Sequence, residues 1–501
     1  MNIFWIVTDS ICNYERSDLH GLLPIYKKLK KNKEGLYFED CVSQFPSTNL
    51  SLLSFLTGRF PYYIFPDYYR SIENLPSLEL NNSIYPLKQE GYNIESIIFG
   101  REQVIVLKDI LNPYYIEEMY QGDHWLDAKE IYDLFMEKVE HIKSKEKNLY
   151  FIFFRPSDPQ VDRYIRKIIQ FLKKNNFWNN SIFILNSDHG YYDKILYKKT
   201  KLLHFDDIHQ SSMQPALFIR IPSILTTATF RTIYKRVYLI DILETILNYL
   251  NIETEHDRHS ISFKPLIEND IDVNSERKVR GDCYLMFQSI KKTMITKGDW
   301  KLLNDNGKFS LFNLANDKLE EKDIKEKFPE IYNELYNFYL DTESKAYDNF
   351  KSTLDSLYNH SILPKLKSKT ILMPDQFPPT LVKYLRETLK AKNVVINQHD
   401  IINRNTSQIQ DVTTILFFNR LTGYGLKKLI KKYKNISKNY LILDTELSDV
   451  SDQWNKTGYL RFVIKSIIVR RNQLFQRWKE ILVWILYFPL YFNKHLRKYY
   501  N

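Results

Sequence analysis

Three stretches of the chain are apolar almost without interruption: "NIFWIVT" (Asn2–Thr8), "NLYFIFF" (148–154) and "SIFILNS" (Ser181–Ser187). A strand that exposed one face to water would alternate polar and apolar residues, so these runs predict strands covered on both faces. That is the sign of a mostly parallel sheet flanked by helices. The intervening segments agree, because "LLPIYKKLKK", "QVDRYIRKIIQFLKKN" and "LIDILETILNYL" space their apolar residues with helical periodicity. Up to about residue 345 the chain therefore reads as α/β. Polar residues at the carboxyl ends of such strands collect in one crevice, where open α/β sheets bind their ligands.

A second series of the same kind begins at about residue 362, with "KTILMP", "NVVIN", "TTILFFN" and "YLILD" separated by the helical patterns "TLVKYLRETLKA" and "YGLKKLIKKYK". We divide the 501 residues into a main domain (1–345), a linker (346–361), a small α/β domain (362–452) and a tail (453–501). With 44% hydrophobic and 15% aromatic residues, a chain of this length can bury large cores. The three cysteines, Cys12, Cys41 and Cys283, have no paired spacing, which argues against a disulfide framework and against a thiolate metal site. "MNIFWIVTDS" has neither a basic n-region nor a small-residue cleavage site. A reducing, cytoplasmic location is the expectation.

Two strand ends carry residues suited to chemistry. "IVTD" delivers Asp9, and "FILNSDHG" delivers Asp188 and His189 ahead of a glycine. Oxygen and imidazole ligands together suit one divalent ion, Zn²⁺ or Mn²⁺ before Ca²⁺ or Mg²⁺, and the Thr48 hydroxyl at a helix start would complete four ligands. Each residue also has an ordinary reading: helix caps for the aspartates and the threonine, a plain turn for "DHG".

The ordered motifs resemble the sulfatase family of the alkaline phosphatase superfamily over about residues 1–345. "NIFWIVTDS" is similar to that family's opening strand with its metal-binding Asp, and "LKQEGYNIESIIFGRE" to its GY…GK segment. "VDRYIRKIIQFLKKNNFWNNSIFILNSDHG" is similar to its helix, strand and DHG turn, and "YLIDILETILNYLNI" to a later helix. "TMITKGDWKLLNDNGKFSLFNLANDKLEEKDI" is similar to its closing antiparallel sheet, which implies a small antiparallel subdomain at about 280–345. The implied fold is the alkaline-phosphatase/sulfatase-like α/β fold with a mixed, mostly parallel sheet.

Laid on the family's nucleophile pattern, "FEDCVSQFPSTNLSLLSFLTGR" puts Thr48 where a sulfatase carries the Cys or Ser that becomes formylglycine. Thr48 cannot become that aldehyde. Leu50 and Leu52 replace the pattern's Pro and Arg, and Ser10 replaces the second Asp of calcium-dependent sulfatases. A threonine nucleophile resembles instead the phosphoethanolamine and phosphoglycerol transferases. The resemblance then implies Asp9, Thr48, Asp188 and His189 as the ligands of one metal, Thr48 as nucleophile, and Arg101 as a phosphate contact. His204 is implied as the proton donor, a role that His209 disputes, while Asp162 reads as structural. The implied substrate is a phosphate ester, glycan or lipid-linked. Sulfuric-ester hydrolysis, or a non-catalytic protein of this fold serving assembly, stays open.

The net charge of +11 is concentrated at one end. From Gln453 to Asn501 ten Lys and Arg face a single acid, Glu480, among Trp, Phe, Tyr and Leu. The uncharged run from Ile481 to Asn493 falls short of the roughly 20 residues that cross a bilayer as a helix. An amphipathic segment lying on an anionic membrane surface, here the inner face, is the expectation. Nucleic acid is not an expected partner, because no recognition motif accompanies the charge.

Overall fold

The computed structural model describes residues 1–13, 23–60, 84–100, 126–140, 146–155, 158–191, 207–253, 258–285 and 290–358. Beyond these it describes 107, 111, 370–374, 386–387, 392–396, 414–418 and 440–443. The chain divides into two units, the first holding most residues up to Leu357 and the second most of those from Tyr358 onward.

In the first unit the strands are β1 (Asn2–Thr8), β2 (Leu36–Phe38), β3 (Cys41–Val42), β4 (Tyr92–Ile98), β5 (Lys147–Phe154), β6 (Ser181–Ser187), β7 (Leu217–Arg220), β8 (Thr232–Ile233) and β9 (Val237–Tyr238). Seven of them form one sheet in the order β4-β5-β1-β6-β7-β2-β8. β4, β5, β1 and β6 run parallel, and β7 runs antiparallel to both β6 and β2. The unbroken apolar runs are the central strands, as a sheet covered on both faces requires. Neighbouring residues of β1 show both covers. Trp5 stacks on Phe55 of the helix Thr48–Thr57 at 5.6 Å, whereas Phe4 points to the opposite face, stacked on Tyr150 at 5.2 Å and edge-on to Phe135 at 6.3 Å.

Helix α1 (Pro24–Lys31) starts with a proline and without a side-chain cap of its own. A distant residue supplies one. Asp162, in the helix Val161–Lys174, accepts the Ile25 N–H at 2.7 Å and pairs with Arg166 at 2.6 Å. Its expected structural role is thus a cap across two elements.

β10 (Val279–Leu285), β11 (Ile290–Lys297), β12 (Trp300–Asp305) and β13 (Lys308–Asn313) form a four-stranded antiparallel meander. It is tied down by buried charge. Fully buried Arg280 grips Asp282 with two nitrogens and reaches Thr342 and Glu343 in the long helix Pro329–Tyr358. That helix runs through residues we expected as a linker, since 346–358 are helical.

The second unit contains β14 (Thr370–Pro374), β15 (Lys392–Ile396), β16 (Thr414–Phe418) and β17 (Tyr440–Leu443). They pair in parallel in the order β15-β14-β16-β17, a small α/β-type sheet. The two helical patterns between these strands fall largely outside the described residues, and the basic tail falls wholly outside them.

Candidate active site

The site grows from the register of two strands. β1 and β6 pair so that Thr8 lies opposite Ser187, which makes Asp9 and Asp188 the next residue on each strand, at the same carboxyl end. The strand ends are locked together. Asp188 donates its N–H to Thr8 O at 3.1 Å, and the Ser187 hydroxyl donates to Thr8 O at 2.8 Å while accepting the Ile11 N–H at 2.7 Å.

Asp188 is fully buried, and its two oxygens differ. Oδ1 accepts the N–H of Ser10 at 2.9 Å and of His189 at 2.8 Å. Oδ2 is buried and accepts no hydrogen bond among the described residues. A carboxylate oxygen left so costs free energy unless a cation or proton meets it. Burial pushes the Asp188 carboxyl up to about 6, the Asp9 charge adds to the rise, and His189 opposes it.

His189 is set the same way. Its Nδ1 lies 2.7 Å from Gly190 O and donates to it, so the neutral ring carries its lone pair on Nε2. Nε2 lies 3.5 Å from Asp188 Oδ2, 3.7 Å from Asp9 Oδ1 and 3.4 Å from Thr48 Oγ1. Ligand atoms of Asp9, Asp188 and His189 all fall within 4.8 Å of one another. Two carboxylates, one imidazole nitrogen and one buried oxygen lacking a donor fit a divalent cation.

Helix α2 (Thr48–Thr57) brings the hydroxyl. Thr48 is its first residue, after Ser47 in extended conformation, and Thr48 Oγ1 lies 3.5 Å from Asp9 Oδ1. The helix is pinned at both ends. Ser51 Oγ donates to Asp188 O at 2.5 Å, which ties the first turn to the end of β6. At the other end Gly58, with φ +66, closes the helix, and its carbonyl accepts the N–H groups of His259 (2.8 Å) and Ser260 (3.0 Å). The "TGR" turn therefore fixes where Thr48 sits.

Gly190 of "DHG" also has a physical reason. A Cβ there would lie 2.1 Å from the backbone oxygen of Ser211, because the Gly190 and Tyr191 N–H groups bond the carbonyls of Ser212 and Ser211 at 2.9 and 3.1 Å. Only glycine permits that approach.

The structure thus brings together Asp9, Thr48, Asp188 and His189. Arg101 and His204 lie outside the described residues. His209 is largely enclosed, with its ring against Asp207; burial pulls its pKa down, but Asp207 and Glu320 carry it upward. Sequence reasoning missed Ser51, whose serine among leucines had no reason to stand out, and assigned Ser10 no role of its own.

No protein-family model matches the chain, and no curated protein matches it in sequence. Solved structures do match it. BT4656, determined with its substrate D-glucosamine-2-N,6-O-disulfate, superposes with a TM-score of 0.53 at 14% identity, over 70% of this chain and 98% of that one. The phosphonate monoester hydrolase SpPMH from Silicibacter pomeroyi gives 0.53 at 11% identity, over 70% and 95%. The putative sulfatase yidJ from Bacteroides fragilis gives 0.51 at 13% identity, over 69% and 95%. The chain has a sulfatase-type fold, as its motifs implied.

Proposed function

We propose that the protein is a divalent-metal-dependent phosphotransferase or phosphohydrolase with Thr48 as its nucleophile. The observation that carries this reading is the Thr48 hydroxyl at the start of α2, 3.4 Å from His189 Nε2 and 3.5 Å from Asp9 Oδ1. A hydroxyl in that position would meet a phosphorus or sulfur centre held beyond the carboxyl ends of β1 and β6. Threonine cannot give the formylglycine that sulfate hydrolysis uses, which favours phosphate esters.

Asp9, Asp188, His189 and Thr48 would hold the ion. When bound, it supplies Lewis acidity, lowering the pKa of a neighbouring hydroxyl and offsetting phosphate charge. Thr48 gives its proton to solvent water, and its oxygen bonds to phosphorus as the bond to the leaving oxygen breaks. The leaving oxygen takes up a proton, and water or an acceptor hydroxyl then resolves the phosphothreonine. Arg101 and His204 remain the proposed phosphate contact and proton donor.

The substrate we propose is a phosphorylated or lipid-linked precursor of a surface glycan, reached from the cytoplasmic face of a membrane through the basic tail. A second reading, sulfuric-ester hydrolysis, is favoured by the fold shared with BT4656, whose substrate is a disulfated sugar. Matched aryl phosphate and aryl sulfate substrates, each with added Zn²⁺, Mn²⁺, Mg²⁺ or Ca²⁺, separate the two. Faster phosphate release supports our reading, and faster sulfate release refutes it.

A further inference from the structure

Ser10 follows the strand-end aspartate, is buried, and adopts φ +58, a left-handed conformation that residues with a side chain rarely take. That backbone has a definite effect. It turns the Ser10 N–H toward β6, where it meets Asp188 Oδ1 at 2.9 Å, and the Ser10 hydroxyl back onto Asp9, where it meets Oδ1 at 2.5 Å. One residue thus holds the carboxylates of both strand ends. By occupying Asp188 Oδ1 together with the His189 N–H, Ser10 leaves Oδ2 as the oxygen without a donor, on the side that faces His189 Nε2. The hydroxyl on Asp9 Oδ1 likewise fixes the oxygen that lies 3.5 Å from Thr48 Oγ1 and 3.7 Å from His189 Nε2.

We infer that Ser10 is a positioning residue that presets Asp9 and Asp188 for the cation, its N–H serving one carboxylate and its hydroxyl the other. The inference rests on the metal-site reading given above. Backbone strain kept at a site is held there by its surroundings, and outer partners of metal ligands typically govern affinity by 10- to 100-fold.

The test is titration of the full-length, metal-stripped chain with Zn²⁺ and with Mn²⁺ alone, for wild type, Ser10→Ala and Ser10→Gly, each with its thermal unfolding followed in parallel. Both variants keep the backbone N–H and lose the hydroxyl, and glycine also relieves the left-handed strain. We expect both to bind about 10- to 100-fold more weakly, glycine included, although its metal-free unfolding midpoint stays at or above that of wild type. A purely structural role for Ser10 predicts the opposite for glycine, with affinity retained. If wild type binds stoichiometrically and both variants match it, the role given to Ser10 is wrong while the metal site stands. If wild type binds neither ion, the metal-site reading itself fails and takes this inference with it.

Discussion

Asp188 accepts hydrogen bonds on one oxygen and buries the other without a donor, and that asymmetry is what suits an otherwise structural strand end to the proposed role of metal ligand. Replacing Asp188 with Asn should keep the bonds from Ser10 and His189 and still abolish metal binding, because an amide supplies no negative charge to the ion. His189→Ala should do the same by removing Nε2. Elemental analysis of folded protein decides both, and full occupancy in either variant would show that other residues hold the ion. Gly190→Ala puts a methyl group 2.1 Å from a backbone oxygen, so the DHG turn must shift, and metal binding should weaken even where the protein still folds. Asp9, Asp188 and His189 were legible because strand-end polar residues after unbroken apolar runs announce themselves. The left-handed backbone of Ser10, and the bond from Ser51 to Asp188 O, were not, since each depends on a segment far away in sequence.

Helix α2 acts as the arm that carries Thr48, and its far end is held by the Gly58 turn. Gly58→Ala would force a left-handed alanine, costing about 1–2 kcal/mol, and would crowd Ser260 Oγ at 2.5 Å. Urea denaturation should register that loss, with catalysis falling as Thr48 loses its anchor. Lys301 and Glu320 form a second clamp, both almost fully enclosed and 2.6 Å apart. Lys301 donates to Ile208 O at 2.6 Å and Glu320 accepts the Gln210 N–H at 2.7 Å, so the antiparallel meander grips the segment that packs on Gly190. Glu320→Gln leaves the buried Lys301 without this carboxylate's counter-charge and should cost about 3–5 kcal/mol in the same denaturation measurement. The strands themselves could be read from their apolar runs, but the reversed direction of β7 could not, because an apolar run carries no sign of direction. Nor could the helix through 346–358, whose polar composition reads as a linker.

At the scale of the molecule, a sheet with two covered faces puts the candidate site at the carboxyl end of its central strands, and the basic end of the chain is the proposed hold on a membrane. Among the described residues no helix is long and apolar enough to cross one. Full-length protein should co-sediment with anionic vesicles, less so at high salt, because the screening length falls from about 10 Å at about 0.1 M to about 3 Å at about 1 M, and a chain ending near Val450 should not. Equal pelleting of the two forms would remove the tail from the account. The central claim concerns Thr48, and the most direct measurement is the rate of phosphate release from an aryl phosphate by metal-loaded wild type and by Thr48→Ala of equal metal content. The account predicts release by wild type and a loss of at least about a thousand-fold in the variant, as removal of a nucleophile produces. A Thr48→Ala protein that releases phosphate at the wild-type rate would contradict it.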